Sequence, residues 1–214
     1  MIISPAILKT FEECKQKYIY MYVDKISLPQ NKYFYEKGKN IHALANYFLK
    51  GNDVSKFEQA LNTEEQALWN YLKSIKYFNY EFIKSEYQIS KKLGENWIGG
   101  RLDALVKNNE DYYILDYKTG SIPKNPEYDY QTMVYLLCTD KLLKKYNSLS
   151  FVYIDLKNKD EKVIKFNQKF KKEYEEKIKN TLKNINSVTT SQSNLLKNNK
   201  CSCDYYCICE KKWL

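Results

Sequence analysis

The stretch GGRLDALVKNNEDYYILDYKTG sets an aspartate inside each of two otherwise apolar runs. Leu102-Asp103-Ala104-Leu105-Val106 and Tyr113-Ile114-Leu115-Asp116-Tyr117 both read as strands, with the polar turn Asn108-Asn109-Glu110 between them. Closing a hairpin on Asn109 and Glu110 sets Asp103 opposite Asp116, whereas a slip of one residue sends them to different faces. A carboxylate in a buried strand is costly unless it is paired or bound to a cation, and two that face each other repel. A shared divalent cation removes the conflict. Lys118 projects from the same strand face as Asp116. Two carboxylates and a lysine converging at a sheet end suit phosphodiester hydrolysis. The acids hold Mg²⁺ or Mn²⁺, the ion activates a water, and Lys118 orients that water and offsets charge in the transition state. The competing structural reading is a pair of salt-bridged aspartates at strand ends.

The surrounding pattern is mixed α/β, a central sheet flanked by helices. Ser4 and Pro5 cap a helix through AILKTFEECKQKYIYMY, with Ile7, Leu8, Phe11 and Cys14 on one face. A second helix is expected over 35–50. A capping box at Thr63-Glu64-Glu65-Gln66 opens a third. YEFIKSEYQISKKL reads as a strand before the hairpin. DYQTMVYLLCTDKLLKKY reads as a helix after it, followed by strands in LSFVYIDLK and EKVIKFNQ and a charged helix over KKEYEEKIKNTLKNIN. One domain is expected over 1–214: a helical part over 1–80, the sheet and its helix over 81–170, and a helix, polar connector and cysteine segment over 171–214.

A net charge of +9 gives weak support for a polyanionic partner, because Lys, Asn, Tyr and Ile are all abundant together. No stretch resembles a membrane span or a secretory signal, so a cytoplasmic protein is expected. In a reducing compartment the cysteines of KCSCDYYCICE fit metal ligation better than disulfides. Cys138, inside the run Tyr135-Leu136-Leu137-Cys138, reads as core.

The ordered residues resemble the PD-(D/E)xK nucleases of the RecB-like branch, in particular the Cas-four-like and AddB-type iron–sulfur exonucleases. Ser4, Leu8, Phe11, Cys14, Lys17 and Tyr18 are similar to that family's opening helix. Gly38 and His42 match its first motif and Gly100 to Asp103 its G-x-x-D. Asp116-Tyr117-Lys118 match its (D/E)-x-K, and Gln131 and Tyr135 its Q-x-x-x-Y. The resemblance implies a restriction-endonuclease-like core and a metal held by His42, Asp103, Asp116 and the carbonyl of Tyr117. It also implies that Gln131 orients Lys118 or the substrate, and that Tyr135 lies with Lys118 beside the DNA backbone. Glu86 reads equally as an accessory acid or as a surface residue.

The resemblance further implies a [4Fe–4S] cluster on Cys14, Cys201, Cys203 and Cys209. Cys201 stands one residue nearer Cys203 than the family's usual spacing, and Cys207 is a possible substitute for it. Tetrahedral zinc is the alternative for a thiolate-only site. The expected activity is metal-dependent exonuclease action on single-stranded DNA ends, alongside recombination or CRISPR-adaptation proteins. The rivals are a structure-specific endonuclease and a non-catalytic DNA-binding subunit.

Overall fold

A computed structural model describes residues 2–28, 33–143, 145–188 and 203–209. Among these, the strands are β1 (Ile2–Ile3), β2 (Glu81–Leu93), β3 (Asn96–Asn108), β4 (Asp111–Lys118), β5 (Ser148–Asp155) and β6 (Asp160–Lys165). The helices are α1 (Pro5–Glu13), α2 (Lys15–Tyr18), α3 (Tyr33–Leu49), α4 (Ser55–Gln59), α5 (Thr63–Ser74), α6 (Tyr130–Leu142) and α7 (Gln168–Ser187). None of the described helices is long and apolar enough to cross a membrane.

The six strands form one mixed sheet. Strand β3 is long enough to pair with β2 along one edge and, on the other, with β1 at its start and β4 at its end. Two tight turns fix these hairpins. Gly94 takes a left-handed φ of 63° between β2 and β3, and Asn109 one of 54° between β3 and β4, a conformation that these two residue types adopt readily. Strand β5 runs parallel to β4, reached through α6, and β6 closes the edge antiparallel to β5.

Each face of the sheet has its own core. Leu102, Leu105, Ile114, Phe151 and Tyr153 pack with residues of α1, α6 and α7. Ala104, Val106, Leu115, Tyr117, Val152 and Ile154 pack with residues of α3 and α5. The alternation of Ile114 and Leu115 between these cores follows from the two-residue period of a strand.

Three local details depart from the sequence expectation. The first helix breaks at Cys14, whose φ of −160° and ψ of 109° are extended; its Sγ then accepts from Lys17 N at 3.4 Å and caps α2. The chain continues as a π-helical turn over Ile19–Val23. The capping box sits one residue early. Asn62 Oδ1 accepts from Glu65 N, and Glu65 Oε2 accepts from Asn62 N. Asn caps better than Thr, and the remaining oxygen of Glu65 accepts from Asn40 on α3, which ties the two helices. Helix α6 stops at Leu142, short of the expected Tyr146, because Leu143 is already extended.

Gly100 shows how tightly β3 is held beneath α6. A Cβ built there lies 2.9 Å from Cε1 of Tyr135, while the Tyr135 hydroxyl donates to Arg101 O at 2.9 Å. Gly100→Ala is expected to cost about 1–3 kcal/mol of stability by overpacking. Urea unfolding measures it, and an unchanged midpoint would mean that α6 yields freely at this contact.

Candidate metal and phosphodiester site

The observed register pairs Asn108 with Asp111 and Ala104 with Leu115, so the hairpin closes on Asn109 and Glu110. The next pair in that register is Asp103 and Asp116. There the backbone ladder between β3 and β4 ends, at the sheet end where the candidate site lies. Asp103 bridges the two strands there with its side chain, its Oδ2 accepting from Tyr117 N at 3.0 Å.

Helix α3 brings His42 to this sheet end from one face, with Gly38 one helical turn earlier. His42 Nε2 lies 3.0 Å from the carbonyl oxygen of Tyr117, and Nδ1 lies 3.4 Å from Asp103 Oδ1. The Tyr117 carbonyl can only accept, so Nε2 carries the hydrogen of that bond. The imidazole thus stands between two groups suited to a hard cation, the Tyr117 carbonyl and the Asp103 carboxylate. Burial alone lowers the His42 pKa. Asp103, by hydrogen bond and by charge, together with the charge of Asp116 and the Tyr117 carbonyl, outweighs burial and raises it. Asn46, one turn beyond His42, accepts from Ser85 Oγ on β2 and keeps α3 against the strand.

Helix α6 closes the other side. Gln131 Nε2 donates to Asp116 Oδ1 at 2.5 Å, and Gln131 Oε1 accepts from Lys118 Nζ at 2.9 Å. Lys118 Nζ is also 2.9 Å from Asp116 Oδ2 and pairs with it as a charge-assisted donor. Asp116 is 3 % exposed. Burial and the neighbouring Asp103 charge push its pKa up to about 6, with Lys118 opposing them.

Glu86 completes the cluster from β2. Single ligand atoms of His42, Glu86 and Asp103 all lie within 4.8 Å of one another. Glu86 has φ 47° inside a strand, a left-handed backbone that a glutamate adopts only at a cost. The same strand carries a bulge between Phe82 and Lys84. Bulges and strained residues gather where a side chain must be re-aimed. The imidazole of His42 and the carboxylates of Glu86 and Asp103, with the Tyr117 carbonyl and Asp116 alongside, fit a hard divalent cation.

The structure therefore brings His42, Glu86, Asp103, Asp116, Tyr117, Lys118 and Gln131 together. Tyr135 lies next to them, buried beneath β3, with its hydroxyl on the Arg101 carbonyl and in contact with Gln131. Tyr153, not singled out from sequence, lies beneath the lysine, with its ring centroid 5.6 Å from Lys118 Nζ and its hydroxyl on Thr132. The pairing of β5 beside β4 that places it leaves no local trace. The strain at Glu86 is equally silent, since φ is not encoded by residue type there.

At the far end of the chain, Tyr205 stacks on Tyr20 with centroids 5.7 Å apart and donates to Ile26 O at 2.7 Å. Tyr20 donates to Ile208 O at 3.4 Å. Cys14, Cys203 and Cys209 are half-buried, and Cys138 is buried in the core. Cys201 and the side chain of Cys207 lie outside the described residues.

A mixed sheet whose strands present two aspartates and a lysine, backed by a histidine helix and a glutamine helix, defines a metal-dependent nuclease class. The match to the PD-(D/E)XK nuclease superfamily over residues 69–210 agrees, and the chain belongs to that superfamily. It is similar to the RecBCD enzyme subunit RecB of Borreliella burgdorferi, at 34 % identity over a stretch covering 32 % of this chain and 8 % of that protein. It thus spans a small fraction of the length of that relative. The fold is similar to a Eubacterium rectale protein provisionally described as an exonuclease, with a TM-score of 0.56 at 11 % identity, covering 95 % of this chain and 86 % of that one.

Proposed function

We propose that the chain is a Mg²⁺- or Mn²⁺-dependent deoxyribonuclease that works from single-stranded ends, in DNA recombination, repair or spacer processing. The carrying observation is that His42 meets Asp103 and the Tyr117 carbonyl at the end of β4, with the buried Asp116 and its partner Lys118 beside them. His42, Asp103, Asp116 and the Tyr117 carbonyl hold the cation, and Glu86 is the further acid. The bound ion supplies an activated water and charge stabilisation at the phosphate. Gln131 is a positioning residue, because it holds Lys118 with one end of its amide and Asp116 with the other. Fixed in this way, the Lys118 ammonium faces the reacting phosphate with little freedom to reorganise.

The proposal includes a structural thiolate centre made by Cys14 with Cys203, Cys209 and either Cys201 or Cys207. It is supported by the docking of Tyr205 onto Tyr20 and Ile26, which carries the cysteine segment to the first helices. Such a centre stabilises the fold by linkage and takes no part in hydrolysis. Iron, sulfide and zinc analysis of anaerobically purified protein tests it. Iron and sulfide are expected together; zinc alone, or no metal, would remove the cluster from the proposal.

The activity is tested with Mn²⁺ on end-labelled linear and on circular single-stranded DNA. Loss of nucleotides from linear ends with circles spared is the expected result. Equal cutting of circles would establish an endonuclease instead.

A further inference from the structure

Among the 35 lysine and arginine residues of this chain, Arg101 is the one arginine; every other is lysine. Where the chain needs only a positive charge, it uses lysine. A lone guanidinium therefore points to chemistry that an ammonium cannot supply: a planar fork of five donors that matches two oxygens of one phosphate.

Its position fits that chemistry. Arg101 lies on β3, two residues before Asp103. Its backbone is fixed on both sides, by pairing with Gln88 and by the Tyr135 hydroxyl on its carbonyl. Its side chain is 68 % exposed and is held at the site by one ion pair, Nε to Glu86 Oε2 at 3.0 Å. One carboxylate cannot saturate five N–H donors. Glu86 also belongs to the cation group with His42 and Asp103. It therefore stands between the cation position and the guanidinium, and sets the distance from one to the other. The strained backbone of Glu86 gives that placement a reason.

We propose that Arg101 grips, by two parallel N–H···O bonds, a DNA phosphate flanking the scissile one, with Glu86 aiming its guanidinium. This rests on the nuclease reading above. The bland alternative is that Arg101 only neutralises Glu86, a task that lysine performs as well.

The test compares wild type, Arg101→Lys and Arg101→Ala in two assays. In the first, fluorescence anisotropy follows binding of a labelled single-stranded oligonucleotide in Ca²⁺ across a salt series. Arg101→Lys is expected to keep the salt slope and to lose about tenfold in affinity; Arg101→Ala is expected to lose affinity and about one unit of slope. In the second, cleavage in Mn²⁺ is expected to show KM raised about tenfold in both variants with kcat within about threefold, as for a contact made equally in ground and transition states. Arg101→Lys matching wild type in affinity and KM overturns the proposal. So does a loss of affinity that follows a loss of thermal stability and is relieved by adding Glu86→Gln, since that marks a counter-ion. If wild type binds DNA but does not cut it, the nuclease reading fails while the anisotropy still decides Arg101. If wild type does not bind, both fail.

Discussion

Lys118→Ala is expected to lower metal-dependent cleavage by about 10²–10³-fold while the protein stays folded. The size follows from how the ammonium is held. Gln131 Oε1 and Asp116 Oδ2 are each 2.9 Å from Nζ, and the Tyr153 ring lies below it. No part of this cage needs to rearrange when negative charge grows on the phosphate. Alanine leaves a gap that water fills, and water must reorient at the moment of reaction. The fold is spared because Lys118 ends β4 and its side chain is only half-buried. Single-turnover cleavage in Mn²⁺ together with thermal melting separates the two effects. A variant that melts like wild type and keeps more than a tenth of its rate would remove Lys118 from the chemistry. Gln131→Leu is the useful companion, because it removes the anchor and keeps the ammonium. Its rate is expected to fall less than that of Lys118→Ala.

The two aspartates and Lys118 could be placed from sequence because the hairpin carries its own register. Once Asn109 and Glu110 form the turn, the pairing of Asp103 with Asp116 is arithmetic, and the observed pairs Asn108–Asp111 and Ala104–Leu115 obey it. Strands β2 to β6 were legible for the same local reason, each being an apolar run bounded by turn residues. What was not legible depends on partners distant in the chain. Strand β1 has two residues and exists only because Trp97 and Ile98 offer a parallel edge. The break at Cys14 runs against a helical apolar pattern that continues through Tyr18, and the thiol caps the new start. Tyr153 reaches Lys118 only through the parallel pairing of β4 and β5. Arg101 was not singled out from sequence either. It is unremarkable by spacing and conspicuous only against the lysines elsewhere.

Without divalent metal, the protein is expected to be more stable at pH 5 than at pH 8, and Asp116→Asn is expected to stabilise it at pH 8. Two groups give this slope the same sign. Burial and Asp103 raise the Asp116 pKa to about 6, so between the ordinary carboxylate value and that point the folded state holds a proton that the unfolded chain releases. Stability then falls as pH rises through this window, and the full penalty is present above it. His42 continues the trend. Its pKa is raised, with Asp103 and Asp116 overcoming burial. The stabilising charge is fully present below the ordinary imidazole value and is lost as pH rises above it. A shift of two units in a buried carboxyl corresponds to about 3 kcal/mol. The amide also forgoes the Lys118 ion pair, so a net gain of about 1–3 kcal/mol is expected for Asp116→Asn in EDTA. Adding Mn²⁺ should reverse the order, because the cation takes the place of the His42 proton and offsets the paired carboxylates in wild type, whereas the variant has lost one of them. Thermal melts of both proteins at pH 5 and 8, in EDTA and in Mn²⁺, make the comparison. An Asp116→Asn variant less stable than wild type in EDTA at pH 8 would show that the two aspartates are not in conflict, and the electrostatic case for a shared cation would fall with that result.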